Sequence, residues 1–296
     1  MDELLKSLNE SQTVWFAKLV LAAVNADGVL KLCELDVINK IFSKIKDSDI
    51  KMELVQLMET SEQIEVTPPE NIKLLDLAEI YSQIIIILIS DSDFAQEEKS
   101  FLKKLADLFG FTDGYYKELL DWGGKGCLWK QSMTKLLDNK YELDYFQVPY
   151  TELNEKQRIW YCEVLISIIL IDGFVDEVEI ELVELLVSMV ENPMDRKKLV
   201  AYVKNKYSPP IGIPPDIPKS ILKLIFLEAV HMAAINDSIS ITEINHIEEI
   251  AKDSGVSEDF ITDCVNWHRV GIQWSKERQK IVKSPRQNPG FNINNN

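Results

Sequence analysis

The chain is written twice, in a register of 145 residues. Leu8-Asn9-Glu10-Ser11-Gln12-Thr13-Val14-Trp15 returns as Leu153-Asn154-Glu155-Lys156-Gln157-Arg158-Ile159-Trp160. At the same offset Asp27-Gly28 pairs with Asp172-Gly173, Pro69 with Pro214, Gly110 with Gly255, Trp122 with Trp267 and Trp129 with Trp274. Landmarks so far apart share one offset only if one domain occurs twice. The fold must therefore be one that each half of a 296-residue chain can build around its own core. The repeat also provides an internal comparison, because every residue has a sister that either agrees with it or does not.

Within each copy the apolar residues recur at helical steps. Trp15, Leu19, Ala22, Ala23 and Ala26 fall on one helical face, and Leu74, Leu77, Ile80, Ile84 and Ile87 are three or four apart. No run alternates as a strand would between hairpin turns. The spacing predicts an all-α protein with helices near 9–25, 31–45, 48–60, 70–90, 95–109 and 112–130. It predicts their repeats near 154–170, 176–190, 193–206, 218–235, 240–253 and 257–275. Asn9 with Gln12, and Asn154 with Gln157, have the spacing of capping boxes. Prolines at 68–69 and between 209 and 218 break each copy in the middle. The organisation expected is a first domain over 1–130, a connector over 131–152, a second domain over 153–275 and a basic disordered tail over 276–296.

Net charge is -16. A chain this acidic repels phosphate backbones and anionic lipid faces, which argues against nucleic acid and membrane surfaces as partners. The tail is the exception: Lys276, Arg278, Lys280, Lys283 and Arg286 face only Glu277. Met1-Asp2-Glu3 is acidic where a secretory signal is basic. The apolar run Ile84–Ile89 is too short for a membrane span. Cys33, Cys127, Cys162 and Cys264 lack metal-ligand spacing, and their sisters are all apolar. They read as reduced core cysteines, which places the protein in the cytoplasm.

Helix, corner, helix occurs four times, each corner carrying an acidic residue with Glu seven positions beyond. The pairs are Asp27 with Glu34, Asp91 with Glu98, Asp172 with Glu179, and Asn236-Asp237 leading to Glu243. Ala26-Asp27-Gly28-Val29-Leu30 with Glu34, and Ile171-Asp172-Gly173-Phe174-Val175 with Glu179, resemble the TerB-like family of the tellurite-resistance proteins. That family includes the N-terminal domain of certain membrane-anchored J-domain chaperones. The resemblance covers about 9–122 and 154–267. It implies two tandem TerB-like helical domains, each of two helix-corner-helix repeats, that serve as interaction modules in stress responses and whose acidic corners contact divalent cations.

The residues themselves leave two readings of the corners. A carboxylate at a helix C-terminus opposes the dipole and calls for a partner, either backbone donors or a cation. On the cation reading Asp27 with Glu34 and Asp172 with Glu179 are the best sites, and Asn236 makes the fourth corner the worst. On the turn reading Gly28 and Gly173 terminate helices in the left-handed conformation. There the Glu residues only satisfy free backbone donors, as in Asp176-x-x-Glu179 and Ser240-x-x-Glu243.

His231, His246 and His268 all lie in the last quarter of the chain. Glu228–His231 and Glu243–His246 have the Glu-x-x-His spacing of carboxylate-bridged metal bundles, and a hairpin folded near 237 would set the two pairs opposite each other. The bland alternative is a hydrogen-bonded pair of buried histidines. Nothing reads as an enzyme: no phosphate-binding loop, nucleophile elbow or HExxH is present. The function expected is therefore a non-catalytic TerB-like protein-interaction module. A divalent-cation-binding stress protein and a metal-dependent enzyme with a hidden carboxylate or histidine site stay open beside it.

Overall fold

The computed structural model describes residues 1–26, 32–59, 66–69, 72–137, 148–171, 173, 177–235 and 238–291. These residues contain thirteen α-helices and one short 3-10 turn, with no strand among them. The helices are α1 (Asp2–Ser7), α2 (Glu10–Val24), α3 (Leu32–Phe42), α4 (Ser48–Glu59), α5 (Leu74–Leu88), α6 (Gln96–Leu108) and α7 (Asp113–Leu136) in the first copy. In the second they are α8 (Glu155–Ile169), α9 (Glu177–Ser188), α10 (Pro193–Lys204), α11 (Lys219–Ala233), α12 (Ile241–Asp253) and α13 (Glu258–Val282). Each helix from α2 to α7 begins 145 residues before its counterpart, as Glu10 does before Glu155 and Asp113 before Glu258. The shared register is thus a shared set of helix starts, and the all-α expectation holds.

Local chemistry explains where the helices begin. The Asn9 side chain accepts from the Gln12 amide at 3.0 Å while Gln12 accepts from the Asn9 amide at 3.0 Å. Asn154 and Gln157 repeat this at 3.1 and 2.8 Å. Gly110 and Gly255 close α6 and α12 at φ +67° and +73°, a left-handed terminus that glycine adopts without strain. Gly173 has φ +78°, in keeping with the turn reading of its corner; Gly28 lies outside the described residues.

The chain forms two compact units. One comprises Met1–Gln131 with Gln273–Asn296, the other Ser132–Ile272. The core of the first is built on α2 and α5, whose Phe16, Leu19, Ile80, Tyr81, Ile84 and Ile85 are buried. That of the second is built on the sister helices α8 and α11. Trp15 and Trp160 are buried as their place on the apolar stripe predicts. Cys127, Cys162 and Cys264 are free thiols in the cores; the side chain of Cys33 lies outside the described residues.

Two expectations about boundaries need correcting. First, α7 does not end at 130 but runs to Leu136, so the start of the expected connector is helix; residues 138–147 lie outside the described part. Second, the segment from 276 onward is not a disordered tail through its described length. α13 continues to Val282, and Ile281 and Val282 pack into the first core. The Thr112 amide donates to the Arg286 carbonyl at 2.9 Å, and the Asn288 amide donates to the Gly110 carbonyl at 2.8 Å. Two of the five cations that suggested a solvated tail find carboxylates instead. Arg278 bonds Glu79 and, through Nε at 3.1 Å, the Ser82 hydroxyl; Arg286 pairs with Glu118.

Candidate functional site

The four corners are described unequally. Asp27, Asp172, Asn236 and Asp237 lie outside the described residues, as does the side chain of Glu179. At the second corner the carboxylates serve the backbone. Asp91 Oδ1 accepts from the Asp93 amide at 2.9 Å, and Asp93 Oδ1 from the Phe94 amide at 2.7 Å. Glu98 is buried, and its Oε2 accepts from the Ala95 amide at 2.8 Å, opposite the first turn of α6. Ala95 has no side-chain acceptor to return, so only half of a capping box exists here. Ser92 takes φ +65°, and its carbonyl accepts from Gln131 Nε2 at 2.7 Å and Cys127 Sγ at 3.1 Å. At the fourth corner Ser240 and Glu243 form a full capping box, at 2.7 and 3.1 Å. Glu34 is buried at the start of α3. No group of three or more His, Cys, Asp or Glu suited to a metal ion occurs among the described residues.

The second candidate set, Glu228, His231, Glu243 and His246, separates into different partnerships. Glu243 is the cap just described. Glu228 accepts from the Tyr161 hydroxyl and the Val148 amide, yet burial outweighs both and pushes its carboxyl above the usual range. Behind it, Tyr150 stands 3.4 Å from the Cys162 sulfur. His246 Nε2 lies 2.9 Å from Ser167 Oγ, whose own proton goes to the Val164 carbonyl at 2.7 Å. Since the serine has one proton, His246 must donate from Nε2, which assigns its tautomer.

His231 pairs instead with His268, a residue that the Glu-x-x-His spacing passed over. Their ring centroids are 5.2 Å apart. Comparing the copies would have found this pair. The sisters of His231 and His268 are Ile86 and Gly123, so both positions differ between the copies. In the first unit Gly123 lets α5 and α7 approach, since a Cβ there would meet Ile85 at 2.6 Å. The second unit fills that same crossing of α11 and α13 with two imidazoles.

His268 is 7% exposed, and its pKa is pushed down to about 4, first by burial and then by His231, against the Leu227 carbonyl that its ring bonds. A histidine whose folded pKa lies below its unfolded value near 6.5 contributes stability that is present above pH 6.5 and lost as pH falls toward 4. Over that window the second unit is expected to lose on the order of 3 kcal/mol through this residue. Urea unfolding of the wild type and of His268→Gln at pH 7 and pH 4.5 checks it; equal pH dependence in both proteins would contradict the assignment.

A groove of about 400 Å³ lies between α9 and α10. Its floor is apolar, from Val187, Val200 and Ala201, and its rim carries Arg196, Lys197 and Lys204 against Glu184. Lys197 and Lys204 are exposed and have no partner among the described residues. Leu185 on α9, Met189 just beyond its end and Met194 on α10 also face solvent. The sister positions of Arg196, Lys197 and Lys204 are Lys51, Met52 and Glu59, so the threefold positive rim belongs to the second unit alone. No helix among the described residues is long and apolar enough to cross a membrane.

No family model, no curated protein and no solved structure matches the chain.

Proposed function

We propose that the chain is a tandem pair of TerB-like helical domains acting as a non-catalytic protein-interaction module, and that the α9–α10 groove docks an acidic amphipathic helix. The observation that carries this reading is the groove itself. An apolar strip beside unpaired lysines, on a protein of net charge -16, matches a helix with one apolar and one acidic face. Exposed Leu185 and Met194 extend the apolar surface of these two helices, and methionine adapts to varied partners. The described corners support the same reading, because Glu98 and Glu243 are spent on backbone donors. A TerB-like module in a stress response, such as tellurite resistance, is the setting that the corner motif suggests, in the cytoplasm.

The test is selection of helical peptides against the protein from a random display library. The enriched peptides are expected to be acidic and amphipathic, to bind more weakly as salt rises, and to lose at least about tenfold in affinity on Lys197→Glu/Lys204→Glu. Lys51→Glu in the sister helix should change nothing. Peptides that bind the double variant and the wild type equally would overturn the groove as the docking site.

A further inference from the structure

We propose that His231 and His268 form a two-histidine site for a borderline divalent ion of the zinc and copper class. The two rings come from different helices, α11 and α13, whose packing holds them 5.2 Å apart. In a tetrahedral zinc site the metal–nitrogen bond is about 2.0–2.1 Å, which places each ring centroid about 3.2 Å from the ion and two centroids about 5 Å apart. The observed 5.2 Å matches that spacing.

The hydrogen bonding of His268 points the same way. Its Nε2 is buried with no partner, and the Leu227 carbonyl lies on the ring's other side to favour a proton there. A carbonyl on one ring nitrogen fixes the tautomer and turns the lone pair of the other toward the ligand position, the arrangement found around metal-bound histidines. An orphaned buried imidazole nitrogen is otherwise costly. His231 is exposed at its outer edge, so solvent can deliver an ion and supply the remaining positions, and no hydrogen bond to a described residue holds the ring in place. Burial keeps both rings neutral near pH 7, the form that ligates. Imidazole donors with no carboxylate favour Cu²⁺, Ni²⁺ and Zn²⁺ over Ca²⁺ and Mg²⁺. The first unit, with Ile86 and Gly123 in these places, has no equivalent.

The chain has three histidines, which makes the test direct. Nitrogen-15 NMR of histidine-labelled protein, titrated with Zn²⁺, should shift the His231 and His268 rings together to saturation at one equivalent and leave His246 in place. His231→Gln should weaken Zn²⁺ binding at least about tenfold. An unchanged thermal transition in His231→Gln confirms that the fold survives the substitution. His246→Gln should bind as the wild type does. Absence of any ring shift at millimolar Zn²⁺ would overturn the proposal, and so would undiminished binding in His231→Gln/His268→Gln.

Discussion

Deleting residues 276–296 is expected to destabilise the first unit by on the order of 4–6 kcal/mol. Reading the segment as a disordered basic tail forecasts no effect at all, so the experiment separates the two sharply. Val282 is buried and Ile281 half-buried against the first core. The Tyr115 hydroxyl donates to the Ile281 carbonyl at 3.2 Å, and Gln287 Nε2 donates to the Phe109 carbonyl at 2.8 Å. The Phe291 ring sits over Gly110 so closely that a Cβ there would lie 2.2 Å from it. Burying an aliphatic side chain contributes about 1.5–3 kcal/mol and each net hydrogen bond about 1 kcal/mol. The loss is comparable with the whole stability of a small domain. Hydrogen exchange should show it as faster exchange throughout α5 and α6, with α8 and α11 less affected. Unchanged protection in α5 would mean that the segment contributes nothing.

The same segment shows what was legible in the sequence and what was not. Helix starts could be read because they are local: Asn9 and Asn154 carry their own caps, and the 145-residue register supplies a second witness for each. The ends of α7 and α13 and the tertiary anchors could not. Arg278 and Arg286 look like part of a solvated run until Glu79 and Glu118, far away in sequence, are placed beside them. The histidines fail for a related reason. The i,i+3 spacing of Glu228 and His231 says that two groups share a helix face, not which group faces them. Tyr161 takes Glu228 and Ser167 takes His246, leaving His231 to His268. The corners show the limit of motif reading: at Asp91 and Glu98 the acidic pattern is present and backbone amides occupy it.

Trp15→Ala and Trp160→Ala should each cost roughly 3–5 kcal/mol, because both rings are buried on the apolar stripe of their helix. The informative pair is the smaller change to Phe. Trp160 Nε1 donates to the Gly212 carbonyl at 3.0 Å, so Trp160→Phe strands that acceptor. Trp15 Nε1 is buried with no partner among the described residues, so Trp15→Phe removes a donor that was already unsatisfied. Stranding one partner of a buried hydrogen bond costs about 1–3 kcal/mol, whereas deleting an orphan relieves a penalty of similar size. Trp160→Phe should therefore be the more destabilising by at least about 1 kcal/mol, even though the two residues are sisters in identical register. Urea unfolding, with hydrogen exchange of α2 and α8 to assign each transition to its unit, measures the difference. Equal costs for the two Phe variants would show that Trp15 has a partner after all, and a cost below about 1 kcal/mol for either Ala variant would mean that its indole is not part of the core.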